Sequence, residues 1–298
     1  MKLKPVLAAL LLSLGAIPAH AAPNAAVEGV QMPAWVERDG SKQPLAPGME
    51  LRDSDKLSTG QNSRILLRLA DGSQVKLGEN ALLSMDKLGQ RQENRQLLVQ
   101  AAMDVVRGAF RFTTDARAKL IGRRDVSIRV ATVTAGIRGT DLWGKSSEDR
   151  DIVCLIEGRI AVQREAEPAV TMDQALQFYI SPKAQGRPDP ARAAQLAAID
   201  PKQLEQWAME TEIGAGQGAA RRGGKWKVVA LSSPEEGAVL GAYDKLRAEG
   251  YPATILPRGA GAMRTFEVRI GGLPSRVEAQ ALGARIDSIT GGKSRATL

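Results

Sequence analysis

Two hydrophobic periodicities divide the chain. Between residues 22 and 180, apolar residues recur at every second position in short runs that Gly, Asp and Asn interrupt. This alternation is typical of β-strands with one buried face. After about residue 225, short strands alternate with stripes of apolar residues three or four positions apart, as on amphipathic helices. The pattern predicts a multi-domain protein: an all-β sandwich or rolled β domain, followed by an α+β domain.

The β pattern is densest between residues 126 and 162. One alternating segment runs from Val126 to Thr134, and a second runs from Ile152 to Val162 around a Glu157-Gly158-Arg159 turn. Upstream, residues 65–69 and 75–77 flank Asp71-Gly72, which predicts a hairpin. A two-stranded ribbon buries too little apolar surface to be stable alone, so these segments must share one larger β domain over residues 22–180.

The last 74 residues, 225–298, contain an internal repeat. A strand at 226–231 precedes Ser233-Pro234-Glu235-Glu236, and a strand at 266–270 precedes Ser275 and Glu278; both sets match a helix capping box. Each predicted helix ends at glycine, and a short strand follows each one. The order β-α-β, β-α-β predicts a split βαβ sandwich of the ferredoxin-like type, whose helices cover one face of the sheet.

Composition separates the two domains. Residues 181–213 form a Pro- and Ala-rich segment, predicted to be helical, with one short helix at Ala191–Ala198 and another capped by Asp200 with Pro201 in its first turn. Residues 214–224 are rich in glycine and are predicted to be a flexible linker. We therefore expect two independent folding units.

Alternation also assigns the two faces of the C-terminal sheet. The side chains expected to face the helices are Trp226, Val228, Ala230, Phe266, Val268 and Ile270. The side chains expected on the uncovered face, and therefore the candidate ligand-binding residues, are Lys227, Val229, Leu231, Glu267 and Arg269.

The first 21 residues have the features of a signal peptide. Lys2 and Lys4 precede an apolar run from Val6 to Ile17, and Ala19-His20-Ala21 has the small-x-small pattern of a signal-peptidase site. A membrane anchor is the alternative, but it needs about 20 apolar residues, and this run is shorter. We expect cleavage, export to the periplasm and no transmembrane segment in the mature protein.

Composition excludes several kinds of chemistry. His20 is the only histidine and lies in the predicted leader, so a catalytic triad, a Cys-His dyad and a His-ligated metal site are not expected. Cys154 lies at an apolar strand position and is interpreted as a buried hydrophobic residue. Arg138, Thr140 and Asp141 could converge on a ligand, although polar residues in a turn more often pin the backbone. No catalytic residue, metal or cofactor is predicted.

The chain is basic, with a net charge of +8 and a pI near 9.7. Such a charge favours acidic surfaces such as cell-wall polymers or anionic lipid. Nucleic acid is not expected as a partner, because the basic residues are dispersed and aromatic residues make up only 4% of the chain.

Two family resemblances add to this interpretation. The phrase Thr134-Ala135-Gly136-Ile137-Arg138-Gly139-Thr140-Asp141, the later Glu157-Gly158, and the earlier Arg38-Asp39-Gly40, Pro47-Gly48, Thr59-Gly60 and Asp71-Gly72-Ser73 resemble the FecR-type periplasmic domain. That family relays signals from the outer membrane to a sigma factor. Its regulators also need a cytoplasmic segment and a transmembrane helix, and we identify neither in this sequence.

The C-terminal architecture, with Gly250-Tyr251-Pro252-Ala253 and residues 266–273, resembles a SPOR domain. The resemblance implies binding of peptidoglycan glycan strands, especially strands stripped of stem peptides at division sites, on the uncovered sheet face. Val229 and Leu231 stand where that family commonly has Gln and Gly, which would weaken hydrogen bonding to a sugar. An apolar open face could instead contact a protein.

Three hypotheses follow. The first is a non-catalytic periplasmic binding protein, localised to the cell wall by the SPOR-like module. The second is a periplasmic signalling or scaffold protein whose SPOR-like face binds a protein partner. The third, an enzyme that acts on glycan with two carboxylates, is supported only by the abundance of Asp and Glu, since no acid-base pair is identifiable from spacing. The sequence favours the first.

Overall fold

The computed structural model describes residues 23–298 except 94, 95, 122, 138 and 166, and it also leaves the side chains of 92–97, 120–124 and 262 undescribed. The predicted signal peptide, residues 1–21, and Arg138 therefore lie outside the described residues. The fold is mostly β-strand. This agrees with the class expected from the alternating pattern.

The first seventeen strands are β1 Ala25–Gln31, β2 Ala34–Arg38, β3 Ser41–Pro44, β4 Lys56–Thr59, β5 Arg64–Leu69, β6 Gln74–Leu77, β7 Leu82–Glu93, β8 Gln96–Thr113, β9 Arg123–Val130, β10 Val133–Ile137, β11 Asp141–Ser146, β12 Arg150–Glu157, β13 Ile160–Arg164, β14 Val170–Met172, β15 Gln177–Ala184, β16 Arg187–Pro188 and β17 Gln195–Ala198. The remaining strands are β18 Ala219–Arg221, β19 Trp226–Ser233, β20 Thr254–Arg258, β21 Thr265–Leu273 and β22 Arg295–Thr297. The helices are α1 Ala116–Ile121, α2 Pro201–Met209, α3 Glu236–Ala248 and α4 Arg276–Thr290, with a 3-10 turn at Gly261–Met263.

The N-terminal domain consists of two sheets that share β8. Sheet A has the order β18-β1-β5-β6-β8-β11-β12-β15-β17. Sheet B has the order β3-β2-β4-β7-β8-β9-β10-β13-β14. The β8–β9 pair is parallel, and α1 lies in the connection between these strands. Apolar side chains from both sheets belong to one buried cluster, which also includes side chains of the C-terminal domain.

Gly108 marks the point where β8 passes from sheet B to sheet A. Its φ is +85°, a conformation that glycine adopts without a steric cost. A Cβ at this position would lie 2.6 Å from the Cα and Cβ of Ala81. The close approach of β8 to Ala81, the residue before β7, therefore requires glycine at position 108. This glycine lets β8 continue from sheet B into sheet A.

The predicted β5–β6 hairpin is confirmed, with Ile65 paired to Leu77 and Leu67 paired to Val75. The predicted turn at Glu157–Arg159 is also present between β12 and β13. The single segment expected from Val126 to Thr134 is wrong: it is a hairpin, because Ala131 turns the chain with a φ of +45°. The alternating pattern continued across the turn and concealed it.

Strand β12 is buried on both faces. Val153 and Leu155 join the core between the sheets, whereas Ile152 and Cys154 belong to a second apolar cluster on the outer face of sheet A. This second cluster is covered by the segment that follows β17. Trp207 of α2 stacks on Trp143 of β11 with ring centroids 4.6 Å apart. An outer cover explains why both sides of one strand are apolar.

We call residues 199–213 the strap, because they cross the outer face of sheet A from one edge to the other. The strap begins after β17 at one edge of the sheet and ends near β18 at the opposite edge. Along this path Glu210 pairs with Lys145 of β11 at 2.8 Å, and Glu212 pairs with Lys76 of β6. The strap is therefore bound to strands across most of the sheet.

The structure corrects one element before the strap. The helix expected at Ala191–Ala198 is wrong, because residues 195–198 form β17 and pair with β15. A helix this short has little stability of its own, and the free edge of β15 offers backbone hydrogen bonds instead. The helix after Asp200 is confirmed: the Asp200 side chain accepts a hydrogen bond from the Lys202 N–H at 2.9 Å, and Pro201 is the first helical residue.

The connecting segment 214–224 differs from the flexible linker that its composition predicts. Residues 219–221 form β18, which pairs with β1. The buried carboxylate of Glu278 accepts hydrogen bonds from three backbone N–H groups, those of Gly216, Gly218 and Ala219. Glycine-rich composition removes local constraints but does not prevent tertiary hydrogen bonds from fixing the backbone. The expected domain limits stay predictions.

The C-terminal domain contains a four-stranded antiparallel sheet in the order β20-β21-β19-β22. Apolar side chains of α3 and α4 pack against one face of this sheet. Half of the predicted capping box of α4 is present. Ser275 Oγ accepts from the Glu278 N–H at 3.2 Å, but the Glu278 carboxylate accepts from the connecting segment. The first capping box is wrong: α3 begins at Glu236, two residues later than the box predicts, and Ser233 Oγ accepts instead from the Glu235 N–H at 3.0 Å.

Candidate functional site

The uncovered face of the C-terminal sheet carries a row of four residues in register. Thr254 of β20 pairs with Arg269 of β21, Arg269 pairs with Val229 of β19, and Val229 pairs with Arg295 of β22. Directly paired residues in an antiparallel sheet point to the same side. The row therefore spans all four strands, and we call its surface the open face.

Four of the five predicted site residues lie on the open face. Val229 and Arg269 belong to the central row. Lys227 lies two residues before Val229 and is paired with Thr297, and Glu267 lies two residues before Arg269. Alternation correctly places these side chains together because no bulge separates them along their own strands.

The fifth predicted residue, Leu231, is not on the open face. The register of β19 against β21 shifts between Val229 and Leu231, so that Leu231 pairs with Val268. Val268 is a core residue, and Leu231 packs against the same core. The extra residue is Ala230, which forms a β-bulge and reverses the alternation after it. Leu231 therefore contributes to packing on the helix side, and the expectation for this residue is wrong.

Glu267 is the centre of an ion cluster on the open face. Arg269 Nε donates to Glu267 Oε2 at 2.7 Å, and its Nη2 also donates to this oxygen. Arg295 Nη2 donates to Oε1 at 2.6 Å, and Arg258 Nε donates to Oε2 at 3.3 Å. One carboxylate thus binds guanidinium groups from three of the four strands. Charge-assisted hydrogen bonds of this kind are short and orient their partners.

The electrostatics of the cluster follow from burial and from charge. Burial of Glu267 alone would raise its pKa, but hydrogen bonds from Arg269 and Arg258, with the charges of Arg269 and Arg295, outweigh it, so its pKa is lowered. Glu267 is thus held as a carboxylate. Four basic side chains, including Lys227, share the face with one acid. The open face therefore has a net positive charge.

The two edge arginines form the accessible part of the cluster. The side chains of Arg258 and Arg295 are 53% and 60% exposed, whereas those of Glu267 and Arg269 are 7% and 9% exposed. Val229 is also buried, at 3% exposure, between the paired Arg269 and Arg295. A ligand on the open face would therefore contact mainly the guanidinium groups of Arg258 and Arg295, and little of Val229.

The N-terminal domain contacts the C-terminal domain away from this cluster. Arg285 of α4 donates to the Met32 carbonyl, and the Ala34 N–H donates to the Gly250 carbonyl at 3.3 Å. Arg285 also donates to the Gln217 carbonyl at 3.2 Å. These contacts involve the helix layer and the turn after α3. They leave the guanidinium groups of the two edge strands exposed.

Arg258 and Arg295 were missed in the selection of site residues. The sequence predicts a short strand after each C-terminal helix, the first at residues 253–256 and so too short to include Arg258, and the assignment of faces covered only the two central strands. Counting by twos from Thr254 reaches Arg258, and pairing the last strand with β19 places Arg295 beside Val229. The positions of the two arginines on their own strands could therefore be predicted from the sequence. The strand pairing that brings them next to Glu267 and Val229 could not.

The other sequence candidates have structural roles. Asp141 accepts two hydrogen bonds from Arg111, at 3.0 and 2.7 Å, and joins β11 to β8. The Thr140 N–H donates to Thr114 Oγ1 at 3.1 Å. Asp141 therefore has a structural role, with Arg111 as its partner. For Thr140 the pinning interpretation stays a prediction, because the contact uses its backbone N–H and its hydroxyl oxygen is buried without a hydrogen-bond partner among the described residues. Cys154 is fully buried, and burial is the main cause that raises its pKa to about 12, which agrees with its interpretation as a hydrophobic residue.

The described residues offer neither a metal site nor a helix that could span a membrane. No group of three or more His, Cys, Asp and Glu side chains there is arranged to hold a metal ion. None of the helices in this part of the chain has the length and apolar character needed to cross a bilayer.

Comparison with known families identifies both domains. The family model described as FecR protein matches residues 55–161, and the model described as SPOR domain matches residues 223–294. Both resemblances are confirmed, and the chain contains a FecR domain and a SPOR domain. A SPOR domain implies peptidoglycan binding and a role at the cell envelope or in division, and a FecR domain suggests signalling. Both are non-catalytic families.

Comparison with individual proteins adds less. No curated protein sequence matches the chain. Two crystal structures of a protein from Parabacteroides distasonis ATCC 8503, provisionally assigned as an anti-sigma factor, each share 13% identity with it. The first has a TM-score of 0.39 and covers 51% of this chain and 64% of its own. The second has a TM-score of 0.38 and covers 79% of this chain and 91% of its own.

Proposed function

Given a FecR domain and a SPOR domain in one chain, we propose that this protein is a non-catalytic periplasmic binding protein that attaches to peptidoglycan through the open face of its SPOR domain. The ligand is a glycan strand. The residues that bind it are Lys227, Arg258 and Arg295, and the buried pair of Arg269 and Glu267 positions the two exposed arginines. The order β20-β21-β19-β22, with both helices on the opposite face, supports a ferredoxin-like fold for this domain.

The cluster around Glu267 is the observation that carries the proposal. Removal of a stem peptide by an amidase breaks an amide bond and leaves a free carboxylate on the sugar. A stripped glycan strand is therefore a regularly spaced polyanion. The open face offers exposed guanidinium groups on both edge strands, on either side of the buried core of the cluster. Guanidinium groups bind carboxylates with paired hydrogen bonds.

The arginines also change the interpretation of Val229 and Leu231. The expectation that these two residues make an apolar open face is not supported, since Leu231 packs on the helix side and Val229 is buried. A charged face is better suited to an anionic polymer than to an apolar protein surface. A protein partner is retained as the alternative function, in which the SPOR face serves a signalling or scaffold role.

The proposal is tested by sedimentation of the purified full-length mature protein with sacculi, before and after amidase treatment. We expect retention on amidase-treated sacculi that weakens as salt is raised, because exposed charges are screened. The double variant Arg258→Gln, Arg295→Gln should lose most of the retention. Lys245→Gln, which removes one exposed positive charge from α3 on the other side of the sheet, is the control for net charge.

Three outcomes decide against the proposal. If wild-type protein is not retained on either preparation, the glycan proposal is rejected and the protein-partner alternative is favoured. If the double variant is retained as well as wild type, the open face is not the binding surface. If Lys245→Gln loses as much retention as the double variant, attachment depends on general basicity.

A further inference from the structure

A cavity of about 720 Å³ lies in the FecR domain where β8 passes from sheet B to sheet A. Gly108 and Ala109 line it, and the end of the strap contributes Glu210. This volume is in the range of pockets that bind small molecules. The cavity belongs to the FecR domain, for which the sequence indicated no ligand, and it is separate from the open face of the SPOR domain.

The walls of the cavity carry four basic side chains, Arg64, Arg107, Lys145 and Lys183. Both lysines already have acidic partners: Lys145 pairs with Glu210 at 2.8 Å, and Lys183 pairs with the buried Asp151 at 2.9 Å. Within the described residues, neither Arg64 nor Arg107 has a carboxylate within ion-pairing distance. Two guanidinium groups therefore face the cavity without a direct ion-pair partner.

Arg64 is the more informative of the two. It is half-buried, and its Nε is enclosed without a hydrogen-bond partner among the described residues. Only its Nη1 has a partner, the carbonyl of Ser63 at 2.8 Å. Burial lowers the pKa of Arg64, and the charges of Glu79 and Glu210 only partly offset this effect. An enclosed guanidinium without full pairing is costly, so an anion that enters the cavity would be favoured.

The charge of the cavity limits the ligand. Glu79, Glu148 and Glu210 also line it, which leaves an excess of one positive charge in the lining, and the buried Asp151 beside Lys183 cancels that charge. A singly charged carboxylate matches two unpaired guanidinium groups better than a doubly charged phosphate, which the three acids would repel. We propose that this cavity binds a small carboxylate-bearing molecule, with its carboxylate between Arg64 and Arg107. Sugar acids and acidic peptides share this chemistry.

The test uses the intact mature protein and isothermal titration with defined probes. N-acetylmuramic acid represents a sugar acid, and L-alanyl-D-glutamate represents an acidic peptide. N-acetylglucosamine lacks the carboxylate, and inorganic phosphate supplies the other anion. We expect saturable binding of at least one carboxylate probe, no binding of N-acetylglucosamine and weaker binding of phosphate. Comparison of the first two probes tells which source of carboxylate is preferred.

Three variants assign the binding to the cavity. Arg107→Gln removes an exposed charge at little risk to folding, and Arg64→Gln removes the enclosed charge. Each variant should weaken the binding of the carboxylate probe at least about tenfold, which is the loss expected for a hydrogen bond to a charged group. Arg68→Gln is the matched control, since Arg68 lies on the same strand as Arg64 but pairs with Glu28 elsewhere. It should bind as wild type does.

The proposal is overturned if neither carboxylate probe binds, if phosphate binds more tightly than both, or if Arg107→Gln and Arg68→Gln both bind as wild type does. Sacculi are not used in this experiment, so its failure leaves the glycan proposal unaffected. In the same way, loss of glycan binding by the SPOR variants has no bearing on the cavity.

Discussion

The hydrogen bonds of Glu278 lead to a quantitative prediction about the segment between the two domains. Its Oε1 accepts from the Gly216 N–H at 2.6 Å, and its Oε2 accepts from the Gly218 and Ala219 N–H groups at 2.7 and 3.0 Å. Glu278 also lies in the first turn of α4, where the helix dipole favours a negative charge. The perturbation that we consider is Glu278→Gln.

Glutamine preserves the volume of the side chain but replaces one acceptor oxygen with an NH2 group. With the amide oxygen at the position of Oε2, the NH2 group faces the Gly216 N–H, which loses its acceptor, and the other two N–H groups lose a charged acceptor; the reverse orientation leaves two N–H groups without an acceptor. Each hydrogen bond to a charged acceptor is worth about 1.5–3 kcal/mol, and losses within one group are not additive. We therefore expect the connecting segment to be less stable by about 2–3 kcal/mol in the variant.

Trypsin cleavage after Arg221 and Arg222 is a direct assay of this stability. In the wild-type protein residues 219–221 pair with β1 as β18, so cleavage requires local opening. When opening and closing are fast, the cleavage rate follows the population of the open state. A loss of 2–3 kcal/mol should then increase the rate of cleavage at these two arginines about 30- to 150-fold. The site is read by mass spectrometry of the first fragments.

The repeat within the C-terminal domain provides the control. Glu236 lies in the first turn of α3, as Glu278 does in α4, but it is exposed and accepts no hydrogen bond from the connecting segment. Glu236→Gln should leave the cleavage rate unchanged. If Glu278→Gln is cleaved at the wild-type rate, or if wild-type protein is cleaved as fast as an unfolded peptide, the inference of a fixed connection is refuted.

Two further predictions concern Glu267 and Trp207. Because the pKa of Glu267 is lowered in the folded state, its contribution to stability is complete above its ordinary value of 4.5 and is lost as the pH falls below 4.5. Urea titrations between pH 7 and pH 3 should therefore show a larger loss of stability in wild type than in Glu267→Gln, and equal losses would contradict the ion cluster. For Trp207→Ala, loss of the stack on Trp143 should weaken the strap by about 2–4 kcal/mol. Labelling of Cys154, the only cysteine in the chain, by a thiol reagent should become faster in native buffer, and an unchanged rate would show that the strap does not protect it.

The sequence predicted those features that depend on local alternation. The β5–β6 hairpin, the turn at residues 157–159 and the shared face of Val229 and Arg269 all follow from a period of two. The prediction failed at Leu231 and Ala131, where a bulge and a left-handed residue reverse or interrupt the alternation. Neither event leaves a distinctive residue type in this chain, so the pattern alone could not reveal it.

Features that depend on long-range pairing were the least predictable. Residues 195–198 have an alanine-rich composition that favours a helix, but the free edge of β15 makes them a strand. The glycines of residues 214–218 indicate flexibility, but a glutamate 60 residues later fixes them. In both cases the deciding partner lies far away in the sequence. Intrinsic propensity is a weak preference that such tertiary contacts override.

The strap connects the cavity of the FecR domain with the SPOR domain that carries the open face. Its Glu210 forms part of the wall of the cavity and binds Lys145, and Glu212 binds Lys76 two strands further along the sheet. The chain then continues into the segment that Glu278 holds against the SPOR domain. A ligand between Arg64 and Arg107 would also lie beside Glu210, because all three residues line the same cavity. One continuous segment therefore contacts both the cavity and the SPOR domain. A ligand that displaces Glu210 would move this segment, and the hydrogen bonds of Glu278 would transmit that movement to the domain that carries the open face.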